Sequence, residues 1–279
     1  MKILITGCNG FLGKEMIDYF KGHEILATDR TTLDPTCFKS VSAFFKKNKN
    51  IDIVVHTAVK GGKRLHKEDI RDFYDNLTMF DNLSKFSDQY GLMVNFGSGA
   101  EFGRHKNINR LSEQSIKNGF PEDYYGLSKN AITRKIISLD KNIFNLRLFG
   151  CFGIHEESQR LIRASYNKMI NGDPAVIFED RYMDYFYAQD VGKVIEDLPK
   201  WIKSTLSRDI NLCYPDKMKL SDVVNEIKNL TSSDCDVIIE STVLGKCYTG
   251  NSDRLNSMHI DLVGLREGIS RCLKSWNKS

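Results

Sequence analysis

The sequence lacks any long apolar run, and this limits where the protein can reside. No stretch approaches the roughly 20 consecutive apolar residues that a membrane-spanning helix needs, so we expect no membrane partner. Residues 1–6 carry one lysine and a short apolar segment. A secretory signal needs a longer apolar region and a small-residue cleavage site, so we interpret residues 1–6 as a buried strand. Proline is also scarce, with 5 residues among 279, and no proline-rich linker divides the chain.

Clustered cysteines and a strong charge of one sign are missing as well. The 7 cysteines are scattered and form no CxxC pair, which argues against a zinc site or a disulfide framework. We therefore expect no metal and a reducing, cytoplasmic location. The formal net charge is only +4, and the basic residues are spread along the chain, so we expect no nucleic-acid partner. The remaining composition, 41% hydrophobic and 27% charged, is that of a globular protein.

The first half of the chain alternates short β-rich runs with longer helical patterns. Predicted strands are Ile3–Thr6, Glu24–Thr28, Ile53–Thr57, Leu92–Phe96 and Phe144–Leu148, and predicted helices cover about 11–21, 38–48, 67–90 and 123–139. Such alternation produces right-handed βαβ crossovers and a parallel sheet covered on both faces. The sequence therefore predicts an α/β fold: a Rossmann-type doubly wound parallel sheet with a smaller C-terminal substrate-binding lobe.

The second half has a looser rhythm. Helices are predicted at Glu156–Ile170, Asp190–Lys203 and Leu262–Trp276, a strand at Ala175–Phe178, and a helix capped by Ser221. We assign residues 1–153 and about 184–213 to the dinucleotide-binding domain. Residues of about 154–183 and 214–279 form the predicted substrate lobe, above the carboxyl ends of the strands, where open α/β sheets bind ligands.

A glycine-rich segment follows the first predicted strand. Gly7, Gly10 and Gly13 are three residues apart in TGCNGFLG, at the start of a predicted helix. In such a turn the first glycine permits the bend, the second lets the backbone approach a pyrophosphate, and the third allows close helix–strand packing. A helix N-terminus also attracts phosphates through its free N–H groups. We expect the cofactor to contact these glycines and the intervening Asn9, Phe11 and Leu12.

The ends of the second and third strands complete the predicted cofactor site. Asp29 is positioned to accept hydrogen bonds from the adenosine ribose and to repel a 2′-phosphate, which favours NAD(H). Arg30 beside it would favour the 2′-phosphate of NADP(H), so either cofactor remains open with a preference for NAD(H). The third strand ends in small side chains, which leave room for a cofactor beside Thr57, Ala58 and Val59. His56, flanked by apolar residues, is interpreted as structural.

Three residues form the predicted catalytic group. Tyr125 and Lys129 are separated by four positions, so they share one helix face. A nearby ammonium favours the phenolate, and we expect it to lower the pKa of Tyr125 so that the phenol exchanges protons near neutral pH. Ser98, in GSGAEFG, lies at the carboxyl edge of the fourth predicted strand, where its hydroxyl can donate to a substrate carbonyl.

These motifs together resemble those of the extended short-chain dehydrogenases/reductases, the NAD-dependent epimerase/dehydratase family that modifies nucleotide sugars. The matching segments are TGCNGFLG (6–13), DIVVHTA (52–58), the Ser98 segment, YGLSK (125–129), NLRLFGCFG (145–153), MDYFYAQDV (183–191) and YTGNSDRL (248–255). The resemblance implies that Tyr125 is the general acid or base and that Lys129 also holds the nicotinamide ribose.

The same resemblance implies further contacts. Leu148 to Gly153, including Gly150, would lie beside the nicotinamide, and residues of about 154–183 would bind the nucleotide diphosphate. Candidate substrate ligands are Gly99, Ala100, Glu101, Arg160, Arg163 and Arg181. Members of the family often dimerise through helices equivalent to 67–90 and 123–139, so we expect a homodimer.

The residues after Ser98 differ from those of two subfamilies, and these differences reduce the number of reactions to consider. Segment 33–62 is similar to the matching segment of GDP-L-fucose synthases. The cysteine acid/base of those enzymes would fall at Ala100. The histidine that partners this cysteine would fall at 158–163, where no histidine is present, and His155 lies just before that stretch. Nucleotide-sugar 4,6-dehydratases place an acidic pair at the positions of Gly99 and Ala100, with Glu101 one step further. We therefore expect a ketoreductase acting on a nucleotide-linked 4-keto-6-deoxy sugar, similar in size to dTDP-4-dehydrorhamnose reductases. The alternatives are a 4-epimerase with retained NAD and a non-catalytic dinucleotide-binding regulator.

Overall fold

Strands and helices alternate through most of the chain. The computed structural model describes residues 1–62, 67–139, 141–204 and 207–278. The strands are β1 (Lys2–Thr6), β2 (Glu24–Thr28), β3 (Ile51–His56), β4 (Tyr90–Ser98), β5 (Ile108–Leu111), β6 (Ile143–Leu148), β7 (Cys151–Phe152), β8 (Ala175–Ile177), β9 (Phe186–Tyr187), β10 (Asp209–Leu212), β11 (Val237–Ile239) and β12 (Tyr248–Gly250). The helices are α1 (Phe11–Tyr19), α2 (Phe38–Lys47), α3 (Ile70–Ser84), α4 (Tyr124–Ser138), α5 (Leu161–Asn171), α6 (Ala188–Asp197), α7 (Leu220–Thr231), α8 (Asp253–Asn256) and α9 (Leu265–Trp276).

The central sheet has the strand order β10-β6-β4-β3-β1-β2, and every neighbouring pair in it is parallel. The order reverses direction between β1 and β3. Open α/β sheets bind ligands outside the carboxyl ends of their strands at such a switch point. The predicted doubly wound fold is confirmed, and the glycine-rich turn lies at the switch point because it follows β1.

Alternate strand residues face opposite layers of helices. Ile3 and Ile5 pack with α1 and α6 on one face, and Leu4 packs with α2, α3 and α4 on the other. Successive side chains of a strand point to opposite faces, so both faces of an apolar strand are buried here. This double burial explains why the runs ILI and IVV show no polar alternation.

A separate apolar cluster lies in the second half of the chain. It joins α5, α7 and α9 with β8, and includes buried residues such as Ile162, Val224 and Trp276. β8 pairs in parallel with β11, while β5 pairs with β12 and β7 with β9. Of these elements, α5, α7, α9, β8, β11 and β12 fall within the predicted substrate lobe, whose boundaries stay a prediction. The strands β5, β7 and β9 fall within the residues assigned to the dinucleotide-binding domain. In the described ranges, no helix has the length and apolar character needed to cross a membrane.

Several predicted helix boundaries differ from those observed. α3 covers 70–84 rather than 67–90, and Asp69 caps it by accepting hydrogen bonds from the first-turn N–H groups. α5 begins at Leu161 rather than at 156, since the Glu156 carboxylate accepts the backbone N–H of Arg163 in the first turn. α6 ends at Asp197, where a proline-containing 3-10 turn follows, and α9 begins at Leu265 rather than at 262.

The predicted N-cap at Ser221 is wrong. α7 begins one residue earlier, at Leu220. The Ser221 hydroxyl donates instead to Asp180 Oδ2 at 2.6 Å, and Asp222 accepts the backbone N–H of Lys219 at 2.9 Å. A long-range hydrogen bond has therefore replaced the local cap that the sequence suggested.

Candidate active site

The glycine-rich turn is tightly closed around its own backbone. Gly7 has φ of +71°, and a Cβ there would lie 2.7 Å from the backbone nitrogen of Ala58. A Cβ on Gly13 would lie 2.4 Å from the carbonyl oxygen of Gly7. Side chains at these two positions would separate β1 from β3 and α1 from the turn. Both glycines therefore have the packing roles predicted for them.

The same turn leaves room on its outer side. A Cβ on Gly10 would meet only the Gly7 carbonyl oxygen, at 3.3 Å, and both Asn9 and Gly10 are exposed. No side chain caps the N-terminus of α1, which begins at Phe11. The first-turn N–H groups, including those of Leu12 and Gly13, are thus directed toward this space. An uncapped helix N-terminus beside an open glycine fits a bound pyrophosphate.

Asp29 at the end of β2 is fixed by its own loop. Its Oδ1 accepts hydrogen bonds from the backbone and hydroxyl groups of Thr31 and Thr32, at 2.7 to 3.1 Å. These bonds lower the pKa of Asp29 to about 2. The carboxylate is therefore charged and held in one orientation by its loop. Arg30 next to it is exposed.

The carboxyl ends of β3 and β6 lie at the same edge of the sheet as the turn. Thr57 Oγ1 donates to the carbonyl oxygen of Thr6 at 2.6 Å, which joins this segment to β1. Ala58 is half-buried and Val59 is 44% exposed. Leu148, half-buried, ends β6, and Gly150 lies so close to Asp184 that a Cβ would be 2.7 Å from its carbonyl oxygen. These predicted cofactor neighbours thus line one edge of the sheet.

Ser98 ends β4 at the same edge. Its Oγ accepts the backbone N–H of Ala100 at 3.2 Å. α4 approaches this turn closely, because a Cβ on Gly126 would lie 2.6 Å from the Ala100 carbonyl oxygen. The glycine inside YGLSK therefore lets the helix that carries Tyr125 reach the end of β4.

Tyr125 lies in the first turn of α4, and charged residues hold that turn in place. Asp123 accepts the N–H of Gly126 at 2.7 Å, and Glu68 accepts the N–H of Tyr125 at 3.0 Å. Arg104 donates to both carboxylates, at 2.7 Å to Glu68 and 2.6 Å to Asp123. Its guanidinium carbon lies 5.7 Å from the centre of the Tyr125 ring.

The phenol of Tyr125 does not have the lowered pKa that the sequence suggested. Burial raises its pKa, and the nearby carboxylates of Glu101 and Glu68 add to that rise. A hydrogen bond with the Ser98 hydroxyl and the charge of Arg104 oppose it. The expected direction is therefore wrong, because desolvation of the phenol outweighs the opposing charge of Arg104. Tyr125 remains a protonated phenol near neutral pH, which suits a proton donor.

Lys129 is 7% exposed and lies one helical turn after Tyr125. Its Nζ donates to the carbonyl oxygen of Phe96, in β4, at 2.8 Å and is 5.9 Å from the Tyr125 ring centre. Burial lowers the pKa of Lys129 to about 8, while the charge of Glu101 acts in the opposite direction. Ser98, Tyr125 and Lys129 are thus brought together at the end of β4, as predicted.

The expectation that Ala100 and Glu101 contact substrate is corrected by their burial. Each is 1% exposed. The Glu101 carboxylate accepts hydrogen bonds from the Ser98 backbone, the Thr133 hydroxyl and the guanidinium of Arg147, all within 2.9 Å. Arg147 is fully buried and also binds Asp209 at 2.9 Å. Glu101 is therefore part of a buried ion network beside Ser98 at the end of β4.

The three predicted substrate arginines have different surroundings. Arg163 stacks on Trp276 at 4.3 Å, so packing within the second apolar cluster accounts for its position. Arg160 lies 5.2 Å from the Phe11 ring and donates to the carbonyl oxygen of Cys151, which places it beside the glycine-rich turn. Arg181 forms an ion pair with Glu179 at 3.6 Å, and its Nε is buried without a hydrogen-bond partner.

The histidines near the site are accounted for by the fold. His56 is 5% exposed and its Nδ1 lies 2.7 Å from the Thr6 hydroxyl, as expected of a structural residue. Burial lowers its pKa to about 3, so it is neutral. His155 lies 2.6 Å from Asp18, on α1, and is thereby fixed away from β4. Within the described residues, no three His, Cys, Asp or Glu side chains are grouped as metal ligands.

Sequence reasoning missed two features of the site. Gly62, in the loop after β3, has φ of +72° and would place a Cβ 2.8 Å from the Tyr125 ring. The hydroxyl of Tyr248 would be 2.9 Å from a Cβ on Gly99, so Gly99 makes room for Tyr248. The GG pair at 61–62 was a visible signal of close packing, whereas no local pattern connected Tyr248 with Ser98.

Comparison with known proteins places this geometry in a wider group. The profile of the NAD dependent epimerase/dehydratase family matches residues 3–212. A GDP-mannoheptose C4 reductase from Campylobacter jejuni, solved with NADP bound, is 20% identical, with a TM-score of 0.85 over 100% of this chain and 98% of that one. Among curated protein sequences, no match was found.

Two further solved structures share the fold. A dTDP-4-dehydrorhamnose reductase from Clostridium acetobutylicum is 20% identical, with a TM-score of 0.82 over 99% of this chain and 100% of that one. A UDP-glucose 4-epimerase from Thermotoga maritima is 16% identical, with a TM-score of 0.80 over 100% and 99% of the two chains. At these identities the similarity establishes the fold that surrounds Ser98, Tyr125 and Lys129.

Proposed function

Because the chain belongs to the NAD-dependent epimerase/dehydratase family and is an NAD(P)-dependent enzyme, we propose that it reduces the keto group of a nucleotide-linked 4-keto-6-deoxy sugar. The family match confirms the resemblance inferred from the sequence motifs. The observation that carries the proposal is the meeting of Ser98, Tyr125 and Lys129 at the end of β4, across the switch point from the uncapped N-terminus of α1. A proton donor and a hydride source would thus face the same space.

Each residue of the group has a distinct task in this reaction. Bound NAD(P)H supplies the hydride. The Tyr125 hydroxyl, kept protonated by its raised pKa, donates a proton to the carbonyl oxygen as negative charge develops there. Ser98 donates a second hydrogen bond to the same oxygen, which stabilises that charge. Lys129 would hold the cofactor ribose beside the phenol.

Reduction without prior ring epimerisation or dehydration is supported by what surrounds Ser98. Ala100 carries no ionisable group, and the Glu101 carboxylate is used by Arg147 and Thr133. His155 is held by Asp18. Neither Glu101 nor His155 is therefore free to act as the extra acid or base that GDP-L-fucose synthases and 4,6-dehydratases use, and Ala100 has no group that could do so.

Cofactor preference, substrate contacts and assembly form part of the same proposal. The oriented Asp29 carboxylate favours NAD(H) over NADP(H), although the structurally similar GDP-mannoheptose C4 reductase was solved with NADP. Arg160 and Arg181 remain the candidate diphosphate ligands. Exposed apolar side chains on α3 and α4, Tyr74 at 60% and Ile137 at 47%, support a homodimer through these helices.

The deciding experiment supplies GDP-, dTDP-, UDP- and CDP-linked 4-keto-6-deoxy sugars with NADH or NADPH. We expect one sugar nucleotide to consume reduced cofactor and yield a 4-hydroxy product. Tyr125→Phe should lower turnover at least about 100-fold while leaving cofactor affinity unchanged, because only the proton path is removed. Wild-type turnover in that variant would refute the assigned role of Tyr125.

A 4-epimerase is the second candidate, supported by the similarity to the Thermotoga maritima enzyme and by its need for no further acid or base. The same screen separates the two candidates when 4-hydroxy sugar nucleotides are included. Product formation without net consumption of reduced cofactor would indicate the epimerase. Cofactor binding with neither reaction would indicate the non-catalytic regulator.

A further inference from the structure

Arg104 joins three segments of the chain through one guanidinium group. It follows the 3-10 turn Gly99–Phe102, which begins directly after Ser98. Its Nη2 donates to Glu68 Oε1 at 2.7 Å and to Asp123 Oδ1 at 2.6 Å. This nitrogen carries two hydrogens, one for each acceptor. Because Glu68 precedes α3 and Asp123 precedes α4, the guanidinium connects the end of β4 with the starts of two helices.

Both carboxylates that bind Arg104 also hold the first turn of α4. Asp123 is the N-cap of this helix and accepts the N–H of Gly126 at 2.7 Å. The second oxygen of Glu68, Oε2, accepts the N–H of Tyr125 at 3.0 Å. The first N–H groups of a helix have no partner within the helix, so these two carboxylates fix the position of the turn that carries Tyr125. Arg104 fixes the carboxylates relative to each other.

The turn between Ser98 and Arg104 is closed by its own hydrogen bonds. The backbone N–H of Ser98 donates to Glu101 Oε1 at 2.8 Å, and its Oγ accepts the N–H of Ala100 at 3.2 Å. The N–H of Gly103 donates to the carbonyl oxygen of Ala100 at 2.9 Å. Only five residues separate Ser98 from Arg104, and these bonds hold them in one arrangement. The origin of the Arg104 side chain is therefore fixed relative to Ser98.

Two aromatic rings pack against the same turn. The Phe149 ring fills the space beside Gly99 and Gly250, where a Cβ would lie 2.5 Å and 2.4 Å from it. The Tyr248 ring meets the Phe149 ring edge-on, at 5.6 Å between centres, and a Cβ on Gly99 would lie 2.9 Å from the Tyr248 hydroxyl oxygen. The turn is therefore packed as well as hydrogen-bonded, and it cannot shift without displacing these rings.

We propose that Arg104 is a positioning residue that fixes the Tyr125 hydroxyl relative to the Ser98 hydroxyl through its bonds to Glu68 and Asp123. This inference rests on the proposed function, because it assigns Arg104 a part in the same reduction. Two donors stabilise one developing oxyanion well only when both are oriented toward it before the reaction. Arginine suits this role, since its planar guanidinium is rigid and stays charged.

The test replaces Arg104 with methionine, which keeps an extended side chain and removes the guanidinium. We expect kcat to fall about 10- to 100-fold, the loss that a misplacement of about 1 Å can cause. The KM for the sugar nucleotide and the affinity for the reduced cofactor should stay as in wild type, because Arg104 acts on neither ligand. Exposed ion pairs add little stability, and the Arg104 side chain is 41% exposed, so the urea midpoint should change little.

A second measurement places Arg104→Met in the background of Tyr125→Phe. The double variant should have the same kcat as Tyr125→Phe, because a residue that acts only through the Tyr125 hydroxyl has nothing left to position. Should Arg104→Met fail to fold, Asp123→Asn takes its place in both measurements. Asparagine caps a helix about as well as aspartate but offers Arg104 no charge, so kcat should fall there too.

Arg271→Met is the matched control. Arg271, on α9, also donates to a carboxylate, that of Glu267 at 2.9 Å, and its side chain is similarly exposed. It should leave kcat as in wild type.

Three results would overturn the inference: an unchanged kcat in Arg104→Met, a raised KM for the sugar nucleotide with kcat unchanged, which would make Arg104 a substrate ligand, or a full further loss of kcat in the double variant. In each case an active wild type upholds the proposed function. Wild-type protein that reacts with no 4-keto or 4-hydroxy sugar nucleotide would overturn both.

Discussion

Substituting Gly62 tests whether the loop after β3 holds the Tyr125 ring in place. An alanine Cβ at Gly62 would lie 2.8 Å from Tyr125 Cε2 and 2.9 Å from Cζ, whereas carbon atoms in contact are ordinarily about 3.5–4.0 Å apart. The ring or the loop must therefore move by roughly 0.7–1.2 Å. Where the ring moves, the phenolic oxygen moves with it, because that oxygen is bonded to Cζ. A misplacement of about 1 Å can lower catalysis about 100-fold.

The backbone contributes a separate effect that a control removes. Gly62 has φ of +72°, where a residue with a Cβ costs about 1–2 kcal/mol. Gly172 has φ of +76° and no atom within 4 Å of its ideal Cβ, so Gly172→Ala carries the strain without the collision. Gly62→Ala should lose at least as much stability in urea unfolding as Gly172→Ala, because it adds the collision to the strain. Only Gly62→Ala should lose kcat, by about 10- to 100-fold. Equal kcat values in the two variants would refute the reasoning.

Further predictions concern charge at three other places. Burial lowers the pKa of Lys129 to about 8, so its ammonium is lost as the pH rises above that value. The kcat/KM for the reduced cofactor, which reports on the free enzyme, should therefore fall as Lys129 loses its charge. Lys129→Ala should show a uniformly low kcat/KM with no such fall. The same lowered pKa means that the contribution of Lys129 to folding stability rises between about pH 8 and its ordinary pKa near 10.4. Asp29→Ala should shift preference toward NADPH, and an unaltered NADH/NADPH ratio of kcat/KM would contradict the assignment. Arg147→Met should destabilise the fold by about 3–5 kcal/mol in urea unfolding, because it leaves the buried carboxylates of Glu101 and Asp209 without their cation. A loss below about 1 kcal/mol would show that the ion network contributes little to folding stability.

The sequence predicted the sheet and the grouping of Ser98, Tyr125 and Lys129 because both are encoded by local pattern. Apolar runs such as ILI mark strands buried on both faces, and the spacing of Tyr125 and Lys129 places them on one helix face whatever surrounds them. The glycine spacing similarly identifies the turn between β1 and α1. A Cβ on Gly13 would lie 2.4 Å from the Gly7 carbonyl oxygen, which shows how closely the helix packs on the turn.

Features that depend on distant partners could not be predicted in this way. Ser221 has the side chain of an N-cap, but Asp180 lies within 2.6 Å of its hydroxyl and binds it instead. Glu101 resembles a site acid until Arg147, 46 residues later, is seen to bind it. The pKa of Tyr125 was expected to fall because the sequence shows a neighbouring charge but not the extent of burial.

The ring of Phe149 has a consequence for altering this enzyme. It fills the space that Gly99 and Gly250 leave open, and Tyr248 meets its edge, so one aromatic ring joins the end of β4 to a strand more than 140 positions away in the chain. Replacing it, or either glycine, would disturb its neighbours on both sides at once. Libraries meant to change sugar specificity should therefore vary positions 99, 149 and 250 jointly, since substitutions tried one at a time would be rejected for loss of packing before any new selectivity could be observed.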